Sequence, residues 1–220
     1  LGLARQVLSL REQAIERMSN AFELREDLHH QLKRALQANP DLIGLYAVFE
    51  TDALDDKDGM FIGNQEMGGN DSGRFALYWS QRTPGQLTSE TIDEQMLADT
   101  TPGISGAPYN AWYSCPRDSA QVCLLDPYFD EVEGRPLLMT SVAFPLIENG
   151  KVIGVVGVDI SLASLQALSE QAHQALYQGE GQLSVISPAK LLGGHSRDPG
   201  LLGKPLNDAF GVESETIARA

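Results

Sequence analysis

The chain has few cysteines, few histidines and little positive charge, and each shortage excludes something. Two cysteines, Cys115 and Cys123, and four histidines occur in 220 residues. They stand at no zinc-ligand spacing, and no HExxH pair exists, so a histidine or thiolate metal centre is not expected. Lys and Arg number 16 against 30 Asp and Glu, for a net charge of −14. Such a surface repels a phosphate backbone, which argues against a nucleic-acid partner, and it tolerates a cationic ligand. No apolar run approaches the roughly 18 residues that a bilayer span needs, and no signal peptide is visible. The chain opens on Leu1 and reads as a fragment of a longer protein. With 42% hydrophobic and 21% charged residues it is neither disordered nor a membrane bundle, and its length suits one domain or two small ones.

Catalytic signatures are missing as well. GISGA at 103–107 ends on alanine where a nucleophile elbow of the GxSxG type needs glycine. The glycines of GVVGVD lie inside a strand-like run and read as a packing pair, not a phosphate cradle. No Walker sequence is present, and no nucleophile stands beside a base. The acidic run LDDKDGMF invites a calcium-loop alignment, but that places Leu54 first and Gln65 twelfth, where acids belong. Weak cation binding by Asp52, Asp55, Asp56 and Asp58 stays open. A binding module without a cofactor or metal is favoured over an enzyme.

What is present has an α+β order. Apolar residues at Leu3, Val7, Leu10, Ala14, Met18, Phe22, Leu28, Leu32 and Leu36 predict one long helix over 1–38, with a gap in the stripe near Arg25 and a stop at Asn39-Pro40. LIGLYAVFE (42–50) and GRFALYWSQ (73–81) read as strands separated by a long Asp- and Gly-rich loop. SETIDEQMLAD reads as a short helix or turn. RPLLMTSVAFPLI and GKVIGVVGVDI read as two strands joined at Asn149-Gly150, a tight-turn signal. A helix from Ser161 to about Gln178 follows, then a smaller β unit beginning near QLSVIS.

The stretch NAWYSCPRDSAQVCLLDPYFDEVEG (110–134) concentrates the chemistry: Trp112, Tyr113, two cysteines, then Asp126, Tyr128 and Asp130. Aromatic faces beside carboxylates suit a cation. The cysteines flank a Pro-Arg-Asp-Ser turn and predict a short-loop disulfide closing a hairpin, with two buried free thiols as the alternative.

The order of long helix, LIGLYAVFE, GRFALYW, WYS, DPYFD and TSVAFPLIENGKVIGVVGVDISL resembles the double Cache sensor domains of bacterial chemoreceptors and sensor kinases. The resemblance covers nearly the whole chain and is most specific over 109–162. It implies a periplasmic ligand-binding region between two transmembrane helices that lie outside this fragment. Two PAS-like antiparallel subdomains would stack on the long helix: helix 1–39, a membrane-distal ligand-binding unit at 40–170, and a connecting helix with a smaller membrane-proximal unit at 171–220. A homodimer through the long helix is expected, with a methyl-accepting region, a histidine kinase or a cyclic-dinucleotide enzyme as output.

Amino-acid receptors of that family are similar through an Arg-x-Trp-Tyr element, a Tyr-x-Asp fifteen residues later, and an Asp ending the last strand. Trp112, Tyr113, Tyr128, Asp130 and Asp159 match, but Asn110 stands at the Arg position and Ser105 where a Tyr is expected. Arginine grips a carboxylate bidentately, so its loss beside retained aspartates favours an amine over an acid. The resemblance thus implies a receptor domain for polyamines (putrescine, cadaverine, spermidine) or histamine. Asp130 and Asp159 would pair with an ammonium. Tyr128, Trp112 and Tyr113 would line the chain, with Tyr78 and Trp79 as weaker candidates and Asp126 at the far amine or rim. Asp126 also reads as a turn cap, and Asp159 as a helix cap. Two other readings stand: an α-amino-acid sensor in which Arg74, Arg82 or Arg117 supplies the missing charge, and a ligand-free dimerisation module.

Overall fold

The computed structural model describes residues 2–16, 20–177, 180–211 and 214. Met18 of the expected apolar stripe and Gln178 at the end of the expected second helix lie outside the described residues.

The N-terminal segment is two helices where one was expected, α1 (Gly2–Glu16) and α2 (Ala21–Gln37). Gln31 donates to Gln6 at 3.0 Å across a separation of 25 residues. One straight helix would hold those positions about 38 Å apart at roughly 1.5 Å per residue. The physical reason lies at Asn20, which is extended (φ −75°, ψ 160°) and whose side chain accepts from the Glu23 N–H. That cap starts a new helix and is worth about 1 kcal/mol. α2 then buries Leu24, Leu28, Leu32 and Leu36 on one stripe.

That stripe packs on an antiparallel sheet built from β1 (Gly44–Phe49), β2 (Ala76–Ser80) and β3 (Thr88–Thr91), followed in the chain by helix α3 (Glu94–Ala98) and helix α4 (Ala111–Ser119). β4 (Cys123–Leu124), β5 (Tyr128–Val132), β6 (Arg135–Glu148) and β7 (Lys151–Ser161) come next. The sheet order is β3-β2-β1-β7-β6-β4, with β5 paired to β6. The β6–β7 turn is Asn149-Gly150 with φ of 50° and 78°, the left-handed pair that a two-residue hairpin demands. Leu45, Ala47, Leu77, Trp79 and Val156 form the core with Leu28, Leu32 and Leu36 of α2. Each buried leucine or valine among them contributes about 1.5–3 kcal/mol by leaving water.

The hairpin expected between Cys115 and Cys123 within the stretch 110–134 is a correction: Trp112, Tyr113 and Cys115 lie on helix α4, and of these residues only Cys123 is on a strand. One turn of α4 buries Trp112, Tyr113 and Pro116 together. The disulfide itself forms, Cys115 to Cys123.

The chain groups into two compact units. The first holds residues 1–101, 108–125 and 141–159; the second holds 102–107, 126–140 and 160–220. In the second unit β5 pairs with residues 135–139 of β6, and α5 (Leu162–Tyr177) precedes the β8 (Ser184–Ile186) and β9 (Leu192–His195) hairpin and α6 (Leu206–Phe210). Gln166 of α5 ties β9 by bonds to both backbone groups of His195, at 2.7 and 2.8 Å. The boundary expected between residues 170 and 171 falls inside α5.

Candidate ligand-binding site

Residues paired across strands share a sheet face, and faces alternate along each strand. The register sets Gly44 opposite both Asp159 and Ser80, and Tyr46 opposite both Gly157 and Tyr78. Asp159, Tyr46 and Tyr78 therefore share the face away from α2. Leu45, Val158 and Trp79 occupy the other. Tyr78 and Trp79, proposed together from the sequence, point to opposite sides. Trp79 belongs to the helix-facing core, edge-on to the His29 ring at 5.0 Å and 5.3 Å below Lys33 Nζ. Burial and the neighbouring His30 and Lys33 hold the His29 pKa below its ordinary value.

Asp159 is 3% exposed. Its carboxylate accepts from Ser141 Oγ at 2.5 Å, and its backbone carbonyl accepts from Ile43 N at 2.9 Å. Tyr46 is fully buried beside it, and burial, then the Asp159 charge, pushes the phenol pKa well above 10. Tyr46 Oη donates to the Trp112 carbonyl at 3.0 Å, and the two rings meet edge-on at 5.0 Å. Trp112 is 5% exposed, and among the described residues no acceptor reaches its indole N–H.

Tyr113 is buried in a different role. Its hydroxyl donates to Glu50 Oε1 at 2.6 Å and accepts from Arg74 Nη1 and Nη2 at 3.2 and 3.1 Å. The guanidinium of Arg117 sits 4.8 Å from its ring centroid, that of Arg74 5.6 Å. Burial, then the bond to Glu50, raises its pKa. Arg74 also reaches Glu94, and Arg117 reaches Asp118. Two of the three arginines considered as carboxylate anchors are thus engaged by the chain's own groups. Asn110 is buried and donates to the Leu97 carbonyl at 2.8 Å, fixing the start of α4.

Asp126, Tyr128 and Asp130 belong to the second unit. Asp126 Oδ1 accepts from Ala189 N at 2.8 Å, a bond to a residue 63 positions away and not the local turn cap read from the sequence. Tyr128 lies opposite Met139 and Asp130 opposite Leu137, and both are half-buried. Asp130 Oδ1 accepts from Glu131 N at 2.7 Å.

The acidic loop has its own cation. Arg25, 0% exposed, bonds Asp55 at 2.7 and 3.2 Å, Asp58 at 2.8 Å and the Gly73 carbonyl at 3.0 Å, with Phe61 3.9 Å below. Asp52 and Asp58 cap each other's backbone N–H. Among the described residues no cluster of acids, histidines and cysteines is placed to hold a metal.

Sequence reasoning missed Tyr46, Ser141 and Glu50 as site residues. The first two sit in apolar strand runs, where the pairing register places Tyr46 and the bond to Asp159 places Ser141.

Residues 28–167 match the family described as methyl-accepting chemotaxis protein-like, first PDC sensor domain. The chain belongs to that family. This sensor domain is 59% identical over 208 residues to the methyl-accepting chemotaxis protein TlpQ of Pseudomonas aeruginosa, covering 94% of this chain and 29% of that protein. Its length is thus under a third of that relative's. Among solved structures it is similar to the extracellular domain of mmHK1S-Z3, described as a histidine kinase (25% identity, TM-score 0.69, 89% of this chain and 64% of that one). It is also similar to Methyl-accepting Chemotaxis protein X (28% identity, TM-score 0.65, 99% and 76%). The ligand-binding domain of the Pseudomonas aeruginosa amino acid chemoreceptor PctC, solved with GABA, shares the fold (17% identity, TM-score 0.50, 96% and 73%). The chain is a periplasmic sensor domain of a membrane chemoreceptor, and its family is a sensor family, not an enzyme family.

Proposed function

We propose that this sensor domain binds small cationic amines, with polyamines such as putrescine and spermidine, and histamine, as the ligand class. The supporting observation is Asp159: a carboxylate buried on the sheet face beside the edge-on pair of Tyr46 and Trp112, where Asn110 replaces the arginine expected of amino-acid receptors. An ammonium reaching that carboxylate gains a charge-assisted hydrogen bond and aromatic faces in a low dielectric. Tyr128 and Asp130 enter the proposal on their sequence pattern alone. Binding would bias a receptor homodimer and its cytoplasmic output through the flanking membrane helices, with a coupling of about 1–3 kcal/mol. A thermal-shift screen of diamines, histamine and L-amino acids tests the ligand class. A rise with amines alone supports it; a rise with L-amino acids alone overturns it.

One observation favours a second reading. The buried Trp112 indole N–H, with no acceptor among the described residues, calls for an acceptor on the ligand. An imidazole nitrogen or an α-amino acid carboxylate provides one; a plain diamine does not. The same screen ranks these three.

A further inference from the structure

Pro116 stands inside α4, and proline has no N–H to give. In a regular helix that N–H would go to the carbonyl four residues earlier, which here is Trp112. The donor at that carbonyl comes instead from the sheet: Tyr46 Oη, 3.0 Å away and separated by 66 residues in sequence. The surroundings are built for this bond. Gly157, opposite Tyr46 on β7, leaves room for the ring, because a Cβ there would lie 2.2 Å from Tyr46 Cζ and Oη. The ring meets Trp112 edge-on. The raised phenol pKa keeps the hydroxyl a donor at any pH the domain meets. A helix as short as α4, carrying a proline, is marginal by itself, so ties to the sheet decide where it sits.

We propose that Tyr46 is a positioning residue of the ligand site: its hydroxyl supplies the donor that Pro116 lacks and fixes the α4 backbone at Trp112 against the sheet face that carries Asp159. The orientation of the Trp112 indole is then set by the sheet and not by the helix. The inference rests on the amine reading only for the choice of binding probe.

The test is a double-mutant cycle. Tyr46→Phe keeps the ring and deletes the donor; Pro116→Ala returns an N–H to the helix at the right place. Putrescine and histamine are titrated calorimetrically into the wild type, both single variants and the double variant. Tyr46→Phe is expected to weaken binding about tenfold, the effect of one buried hydrogen bond. Pro116→Ala alone is expected to stay within about twofold, and the double variant to recover most of the loss, a clear departure from additivity. Wild-type affinity in Tyr46→Phe, or a double variant no better than Tyr46→Phe, overturns the proposal. A second readout needs no ligand. In a Trp79→Phe background, the near-ultraviolet dichroism of Trp112 is expected to change with Tyr46→Phe and to return in the double variant; an unchanged spectrum overturns the proposal. If the wild type binds neither probe, the amine reading fails and this spectrum still decides the role of Tyr46. Should Tyr46→Phe not fold, Gly157→Ala, whose methyl displaces the ring, is expected to alter the spectrum and weaken binding, and no effect on either counts against the proposal.

Discussion

Ser141 and Asp159 are joined by a hydrogen bond of 2.5 Å, hydroxyl to carboxylate, between neighbouring strands β6 and β7. Both residues are buried, so the bond compensates part of the cost of holding an acid away from water. Ser141→Ala leaves that carboxylate with one donor fewer. The expected loss is about 1.5–3 kcal/mol of stability, the range for bonds to charged groups. Urea denaturation measures it, and an unchanged midpoint at unchanged slope would contradict the assigned contact.

The two tryptophans serve opposite faces of the sheet. Trp79 packs with α2, whereas Trp112 meets Tyr46 on the Asp159 side. Trp79→Phe is expected to lower stability by about 1–3 kcal/mol through lost core packing while leaving amine affinity within about twofold. Trp112→Phe, which keeps a weaker aromatic face and removes the indole donor, is expected to lower histamine affinity about tenfold. Calorimetry and thermal denaturation on both variants separate the effects; the reverse pattern would place the ligand on the wrong side of the sheet.

Arg25 holds the acidic loop to α2. Removing one partner of a buried ion pair leaves the other uncompensated, so Arg25→Ala is expected to cost about 3–5 kcal/mol. The cluster also carries a pH signature. Burial pushes the Asp58 carboxyl above its ordinary value, against the opposing pull of the Asp52 N–H and Arg25. With the folded value the higher, the stability linked to Asp58 is present below about pH 4 and is lost as pH rises through the folded value. Asp58→Asn removes that term, so its stability is expected to fall less than the wild type's as pH rises just above about 4. Parallel curves from chemical denaturation at a series of pH values would refute the assignment.

The disulfide ties α4 to β4, and β4 pairs with β6 at Ala143, two residues past Ser141. A cross-link spanning eight positions removes about 2–3 kcal/mol of chain entropy from the unfolded state. Cys115→Ser with Cys123→Ser is expected to lose that much stability, and reductant is expected to reproduce the loss in the wild type and do nothing to the variant. A reductant effect on the variant would show that something other than this bridge is responsible.

Strands β1, β2, β6 and β7 and the β6–β7 turn were legible because each couples a β-rich apolar run to a local signal, Asn149-Gly150 above all, whereas the polar β3 (Thr88–Thr91) falls in a stretch that reads as helix or turn. The helix break was harder, since apolar spacing continues on both sides of it. The Asn20-to-Glu23 capping pattern marks it, and periodicity alone passes over that pattern. The gap in the stripe at Arg25 was visible, but its meaning required the loop from Asp52 to Asp58 to arrive from elsewhere in the chain. Trp112 and Asp159 could be singled out by pattern. The face shared by Asp159, Tyr46 and Tyr78 could not, because it follows from strand register, and a slip of one residue would reverse it. Likewise nothing local announces that Arg74 and Arg117 are already committed to Tyr113.

The central claim is that the buried Asp159 carboxylate recognises a ligand cation. Asp159→Asn keeps the size and an acceptor for Ser141 while removing the charge. Calorimetric titration of wild type and Asp159→Asn with putrescine and histamine tests the claim most directly. The account predicts measurable binding to the wild type of at least one of them and a loss of about a hundredfold or more in the variant, in line with the cost of removing a buried charged partner. Equal affinity for the two proteins would contradict it.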